Sequence, residues 1–280
     1  MIKAGSNWYG LLIGCLVLCT ACGTQRQLKD EGYRLVWAEE FNRPGKVDTS
    51  VWNFENGFER NHELQWYQPE NAWCANGHLV IEARRETKPN PRYNNRAVEW
   101  RQQRQYIGYT SASINTRGRK TWQYGRFVMR AKIKTDNGLW PAFWTLGAKR
   151  EWPSNGEIDI MEYYRGTLLA NIACGTTERY KAKWFTVKKP VSEFGKNWEA
   201  AFHIWRMDWD EQAIKLYVDD RLLNEVPLDQ LANPDGFNPF RQPHYILLNL
   251  AIGGDNGGDP AATRFPSRYL VDYVRVYQKK

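Results

Sequence analysis

Three carboxylates fall within six residues at Glu157-Ile158-Asp159-Ile160-Met161-Glu162, with apolar side chains between them. A β-strand turns successive side chains to opposite faces. Glu157 and Asp159 therefore share one face, while Ile158 and Ile160 point into a core. Glu162 stands at an odd offset from Glu157, so a regular strand would bury it. One extra residue, a β-bulge near Ile160 or Met161, returns it to the carboxylate face. Two carboxyl groups about 5 Å apart can cleave a glycosidic bond with retention of configuration, one as nucleophile and the other as acid and base.

The spacing alone is weak, because an exposed edge strand that carries acids against aggregation would look the same. Its context is more specific. The spacers Ile158, Ile160 and Met161 suit a strand buried on one side. Tryptophans crowd the approach, at Trp140-Pro141-Ala142-Phe143-Trp144 and Trp152-Pro153. Aromatic rings stack on the C–H faces of sugars, and they also fill cores. The 14 tryptophans of this chain are expected to do both.

Further segments occur in a fixed order: Glu63-Leu64-Gln65-Trp66-Tyr67, His78 to Arg84, Tyr109-Thr110-Ser111, Tyr124-Gly125-Arg126-Phe127 and Leu139 to Trp144. Phe202-His203-Ile204-Trp205, Leu216-Tyr217-Val218-Asp219, Leu248 to Gly254 and Val271 to Tyr277 follow. Together with the acidic run they make the chain resemble glycoside hydrolase family 16, in its laminarinase-like, β-bulge branch. The resemblance implies an all-β jelly roll, a sandwich of two packed antiparallel sheets with a concave substrate cleft. It makes Glu157 the nucleophile, Glu162 the general acid/base and Asp159 the residue that orients Glu157. Trp140 and Trp144 would lie near the reacting sugar, with Trp66, Trp152 and Trp205 as further cleft aromatics. Asn61, Glu63 and Asn249 would bind sugar hydroxyls, and Asp272 would be a ligand of a structural calcium. His203, in a matched segment, reads as a structural hydrogen-bonding residue. No cofactor is expected for catalysis, and four scattered histidines argue against a zinc site. One departure stands out. Many laminarinase-like members carry His-Gly-Thr-x-His on the strand after the acids, whereas Leu168 to Thr176 contains no histidine.

The elements that must position these groups read as strands. Phe127, Met129, Ala131 and Ile133 alternate with Val128, Arg130, Lys132 and Lys134; Ile214, Leu216 and Val218 alternate with polar neighbours. Asp219-Asp220 marks a turn, and His244 to Ile252 is a near-continuous apolar run, expected to be buried on both faces. Long helical periodicity is absent, so many short strands indicate a sandwich or jelly roll. Thr87 to Gly108 carries Pro89, Pro91 and Arg92, Arg96, Arg101 and Arg104, and reads as an insertion between two strands. Such a loop is either solvated or a contact for an anionic glycan at the cleft rim.

The 280 residues suffice for one large domain, and the net charge of +8 is accompanied by no nucleic-acid-binding motif. Residues 1–22 read as a signal peptide: Lys3 supplies the positive region, and Trp8 to Cys22 is apolar but short for a span. Ala21-Cys22-Gly23 resembles a bacterial lipoprotein junction, with Cys22 acylated, although Cys19-Thr20-Ala21 also fits ordinary cleavage. Residues 23–33 would be a tether and 34–280 the catalytic domain. The protein is expected outside the cytoplasm, touching a membrane only through its lipid anchor, as a monomer. Export permits a disulfide between Cys74 and Cys174, though isolated cysteines more often act as small hydrophobes.

The leading expectation is an endo-acting retaining β-glycosidase on a β-1,3- or mixed-linkage β-glucan. The altered strand and the arginine-bearing insertion keep open an endo-β-galactanase acting on agar, porphyran or a host glycan. The same intermediate could pass to a sugar in a transglycosylase. A non-catalytic glycan-binding surface lipoprotein is the reading from another class, against which the retention of all three acids speaks.

Overall fold

A computed structural model describes residues 31–280. The expected signal peptide, Cys22 and the tether up to residue 30 lie outside the described residues. The first strand begins at Tyr33, the last residue assigned to the tether.

Two sheets pack face to face, built almost wholly of antiparallel pairs. One has eleven strands, with Gly125–Lys132 and Ser267–Lys279 at its centre. The other has seven, in the order Ala182–Pro190, Thr167–Gly175, Glu157–Tyr164, Leu139–Gly147, His244–Ile252, Ser113–Asn115 and Asn53–Phe54. The exception is a short parallel pairing of Gln65–Tyr67 with Tyr109 to Ser111.

Alternation sets which side chains meet between the sheets. Phe127, Met129 and Ala131 are buried from the larger sheet, in one apolar cluster with Phe143, Ile158, Ile160, Leu248 and Leu250 from the smaller. The apolar run His244–Ile252 is buried at every position. Its even-numbered residues Ile246, Leu248, Leu250 and Ile252 belong to that core. Tyr245 and Leu247 form a second cluster with Ala142 and Trp144 on the opposite face. That face, turned away from the core, carries the site.

Two tight hairpins fix registers that matter below. Asp219 and Asp220 take φ of 46° and 63°, the left-handed conformations required by a two-residue turn whose twist matches its strands. Asp219 also accepts from the Ile204 amide at 2.9 Å and pairs with His203 Nδ1 at 2.5 Å. His203 is thus a structural hydrogen-bonding residue. Arg165 and Gly166, at φ of 47° and 74°, turn the chain from Glu157–Tyr164 into Thr167–Gly175.

Candidate active site

The strand Glu157–Tyr164 contains the extra residue that its sequence requires. Against the strand Leu139–Gly147, Glu157 lies opposite Leu146, Asp159 opposite Trp144, Met161 opposite Phe143 and Glu162 opposite Ala142, so Ile160 has no opposite number. Against the next strand, Asp159 pairs with Asn171 and Glu162 with Leu169, leaving Ile160 and Met161 across from Ala170 alone. Ile160 and Met161 are both fully buried in the core. Two consecutive inward side chains reverse the parity of the strand and bring Glu162 to the face of Glu157 and Asp159. All three line one cavity of about 580 Å³.

Neutral donors hold the carboxylates. Trp152 Nε1 donates to Glu157 Oε2 at 2.5 Å, and Trp140 Nε1 to Glu162 Oε1 at 2.7 Å. Asn171 Nδ2 donates to Glu162 Oε2 at 2.7 Å and to Asp159 Oδ2 at 3.1 Å. Burial raises all three acids above their ordinary range, since a charge in a dry site loses its hydration. Glu162 is pushed up to about 7, by burial and by the charge of Glu157, against the donors Trp140 and Asn171. Asp159 stands well above the carboxylate range because burial and both neighbouring charges oppose its ionisation. For Glu157 burial is opposed by Trp152, by the neighbouring Asp159 carboxyl and by the field of Arg60, all of which favour its anion. Glu162, pushed up to about 7, stands near half-protonation at neutral pH, able both to give and to take a proton.

One flank of the cavity is a polar relay. Trp144 Nε1 donates to Asn249 Oδ1 at 2.7 Å, and Asn249 Nδ2 donates to the Tyr67 hydroxyl at 3.1 Å. Glu63 Oε2 accepts from the Tyr67 hydroxyl at 3.3 Å and from Gln65 at 2.6 Å, and Oε1 from Asn61 at 3.3 Å. Arg60 pairs with Glu55 and lies 5.3 Å over the Trp144 ring. Residues 59–63 are held against the turn at Gly253 and Gly254: Asp255 donates its amide to the Asn61 carbonyl at 2.9 Å. A Cβ at Gly254 would stand 2.5 Å from that same oxygen, so only glycine allows this approach.

Trp140, Trp144, Trp152, Asn61, Glu63 and Asn249 all line the cavity. Trp66 and Trp205 do not. Trp66 packs behind the cleft with Phe58 and Ile107, under Arg92. Trp205 is fully buried between the sheets, against Trp198. Trp205 points into the core and Trp66 into a separate apolar cluster, so the expectation that they line the cleft is corrected.

The arginine-bearing segment is narrower than expected, a loop over 90–105 between His78–Pro89 and Tyr106–Ser111. Its arginines are mostly spent on backbone carbonyls rather than left free for an anionic glycan. Arg92 donates to Asn56 O at 3.1 Å, Arg101 to Glu59 O, and Arg104 to His62 O at 2.7 Å and to Glu63 O. The loop therefore clamps residues 56–63, which carry Arg60, Asn61 and Glu63. Asp272, expected as a ligand of a structural calcium, forms an ion pair with Arg130 at 2.6 Å. Among the described residues no three His, Cys, Asp or Glu side chains gather as a metal site. Cys74 and Cys174 are both buried and unpaired, acting as small core hydrophobes.

Several residues at or around the cavity escaped the sequence reading, among them Asn171, Arg60, Tyr180 and Trp184. Asn171 could have been found from the Arg165-Gly166 turn, which fixes its register opposite Asp159 once the bulge is placed. Trp184 belongs to a visible alternation, Trp184, Thr186 and Lys188 outward against Phe185 and Val187. The loop residues carry no comparable signal.

Residues 58–275 match Glycosyl hydrolases family 16. A beta-glucanase of Rhodothermus marinus is 34% identical over 95% of this chain and 93% of its own length. Among solved structures, the laminarinase catalytic domain of Thermotoga maritima superposes with a TM-score of 0.75 at 34% identity, over 89% of this chain and 99% of that one. A structure from work on endo-acting O-glycanases, which prominent members of the human gut microbiota express to initiate mucin breakdown, superposes with a TM-score of 0.81. It is 33% identical over 89% of this chain and 92% of that one.

Proposed function

The chain belongs to glycosyl hydrolases family 16, and on that premise we propose that it is an endo-acting retaining β-glycosidase of a β-1,3- or mixed-linkage β-glucan. The observation that carries the chemistry is the bulge at Ile160 and Met161, which turns Glu162 to the face of Glu157. Glu157 attacks the anomeric carbon as the nucleophile, oriented by Asp159 and by Trp152. Glu162 donates its proton to the leaving oxygen, and a glycosyl-enzyme forms on Glu157. Glu162 then takes a proton from the incoming water, and the sugar departs with its configuration retained. The polymer is bound along the open cavity, so internal bonds are reached. Export, lipid attachment through Cys22 and a monomeric state belong to the same proposal; nucleic acid has no part in it.

A second reading is favoured by two observations. The strand Thr167–Gly175 presents Asn171 and Ala173 and no histidine, and the chain is similar to a structure from work on endo-acting O-glycanases that initiate mucin breakdown. On this reading the glycan contains galactose.

The test is digestion of laminarin, lichenan, agarose, porphyran and mucin O-glycans by the chain without residues 1–22, beside Glu157→Gln. Oligosaccharides from laminarin or lichenan, with the β-anomer formed first by NMR and activity abolished in the variant, are expected. Products from mucin or agarose alone select the second reading, and an inverted product overturns the assignment of Glu157.

A further inference from the structure

The two flanks of the carboxylates differ in chemistry. Towards His244–Ile252 and residues 59–63 lie Arg60, Asn61, Glu63 and Asn249, a dense set of hydrogen-bonding groups. Towards the edge strand Ala182–Pro190 the cavity is lined instead by Tyr180 and Trp184, with Trp152 beside Glu157. Glu157 pairs with Ala173, and Ala173 with Trp184, so the indole stands two strands, about 10 Å, from the nucleophile's strand position. Ala173 is small and covered. Trp184 and Tyr180 are 45% and 57% exposed, a large apolar surface on the wall of the cavity. Tyr180 is fixed through its hydroxyl, which donates to Glu151 Oε2 at 3.2 Å, and Arg179 grips the same carboxylate through two bonds of 2.9 Å. Glu151 directly precedes Trp152, so one carboxylate ties the loop of Tyr180 to the loop of Trp152.

We propose that Trp184 and Tyr180 form the subsite for the leaving-group sugar, a pyranose whose C–H face stacks on the exposed Trp184 indole. The assignment of sides rests on the hydrolase reading above. The sugar that becomes bonded to Glu157 must be held through two chemical steps, and the hydrogen-bonding flank does this. The leaving portion must depart and give way to water or to an acceptor sugar. An aromatic platform with few directional groups binds a ring without locking it, which suits that exchange.

The test compares Trp184→Ala, Trp184→Phe and the wild type on two substrates. One is whichever polymer of the panel the wild type cleaves, and the other is the β-disaccharyl fluoride of the same sugar, whose leaving group fills no subsite. Trp184→Ala is expected to lower kcat/KM on the polymer tenfold or more, to lose transfer to added oligosaccharide acceptors, and to hydrolyse the fluoride within twofold of wild type. Trp184→Phe should recover most of the polymer activity. An equal loss on both substrates places Trp184 with the bonded sugar or with the fold, and no loss on either makes it an exposed edge aromatic; each overturns the subsite alone. Wild-type inactivity on every polymer of the panel and on the fluorides of their sugars refutes the hydrolase reading and the subsite with it.

Discussion

Replacing Asn171 by leucine isolates one interaction of the general acid. Its Nδ2 donates to Glu162 Oε2 at 2.7 Å and to Asp159 Oδ2 at 3.1 Å, while its Oδ1 is buried without a partner. A donor to a carboxylate favours the charged form, so its loss must raise the pKa of Glu162 from about 7. A hydrogen bond to a charged group contributes roughly 1.5–3 kcal/mol, and one pKa unit is about 1.4 kcal/mol, so the rise is about 1–2 units. Glu162 must be protonated for the first step, so the alkaline limb of kcat/KM against pH moves up by that amount. Loss of the bond to Asp159 pushes that acid further in the direction burial already sets, away from ionisation. Asn171 does not touch Glu157, so the acid limb stays fixed and serves as an internal control. Leucine is near-isosteric and also removes the unsatisfied Oδ1, so stability should change by only about 1 kcal/mol. The assay is a pH profile of kcat/KM with thermal melting beside it. An alkaline limb that stays put or moves down, in a variant that melts normally, would refute the role given to Asn171.

Two other substitutions test the surroundings. Lys188 lies opposite Leu169, the register partner of Glu162, and lowers the pKa of that acid through its charge alone. Lys188→Met should move the alkaline limb up by only about a few tenths of a unit, an effect that salt screens in the wild type. Arg104 holds the His62 and Glu63 carbonyls while lying 4.8 Å over the Phe58 ring. Arg104→Met should raise KM several-fold with kcat nearly kept, and lower Tm by roughly 3–6 °C for a loss of about 1–2 kcal/mol. A fall in kcat with KM unchanged would show that the clamp acts on the carboxylates rather than on the binding loop.

What could be read from the sequence follows from the range of each signal. The three acids, the bulge and the buried spacers are separated by a few residues and obey strand parity, so their common face was derivable before any coordinates. Trp140 and Trp144 share that legibility, being four apart on one strand. Trp66 and Trp205 failed because a tryptophan's type does not say which face of its strand meets the core. Trp205 alternates with Met207 and Trp209 into the space between the sheets. The clamp by Arg92, Arg101 and Arg104 was illegible for another reason. Its acceptors are backbone carbonyls some 36 to 42 residues away in the chain, and a carbonyl has no letter in the sequence. A run of arginines beside prolines therefore read as a solvated or anion-binding loop.

The neighbours of the three acids explain how one strand can hold them. Three charged carboxylates in a buried cluster would repel one another strongly, and a bound cation would relieve this. The groups that touch Glu157 and Glu162 are instead indoles and an amide, from Trp152, Trp140 and Asn171. A cation in contact with Glu162 would draw its pKa down and leave it ionised at neutral pH, unable to give a proton. Arg60, one of the two arginines that line the cavity, is paired with Glu55 and reaches Glu157 only through its field. With neutral donors the acids orient without losing the repulsion that keeps Glu162 protonated. That repulsion comes from Glu157, which is the second largest force raising Glu162. When Glu157 becomes an ester in the glycosyl-enzyme, its charge vanishes. The pKa of Glu162 must then fall, which converts the acid of the first step into the base of the second without any movement of the chain.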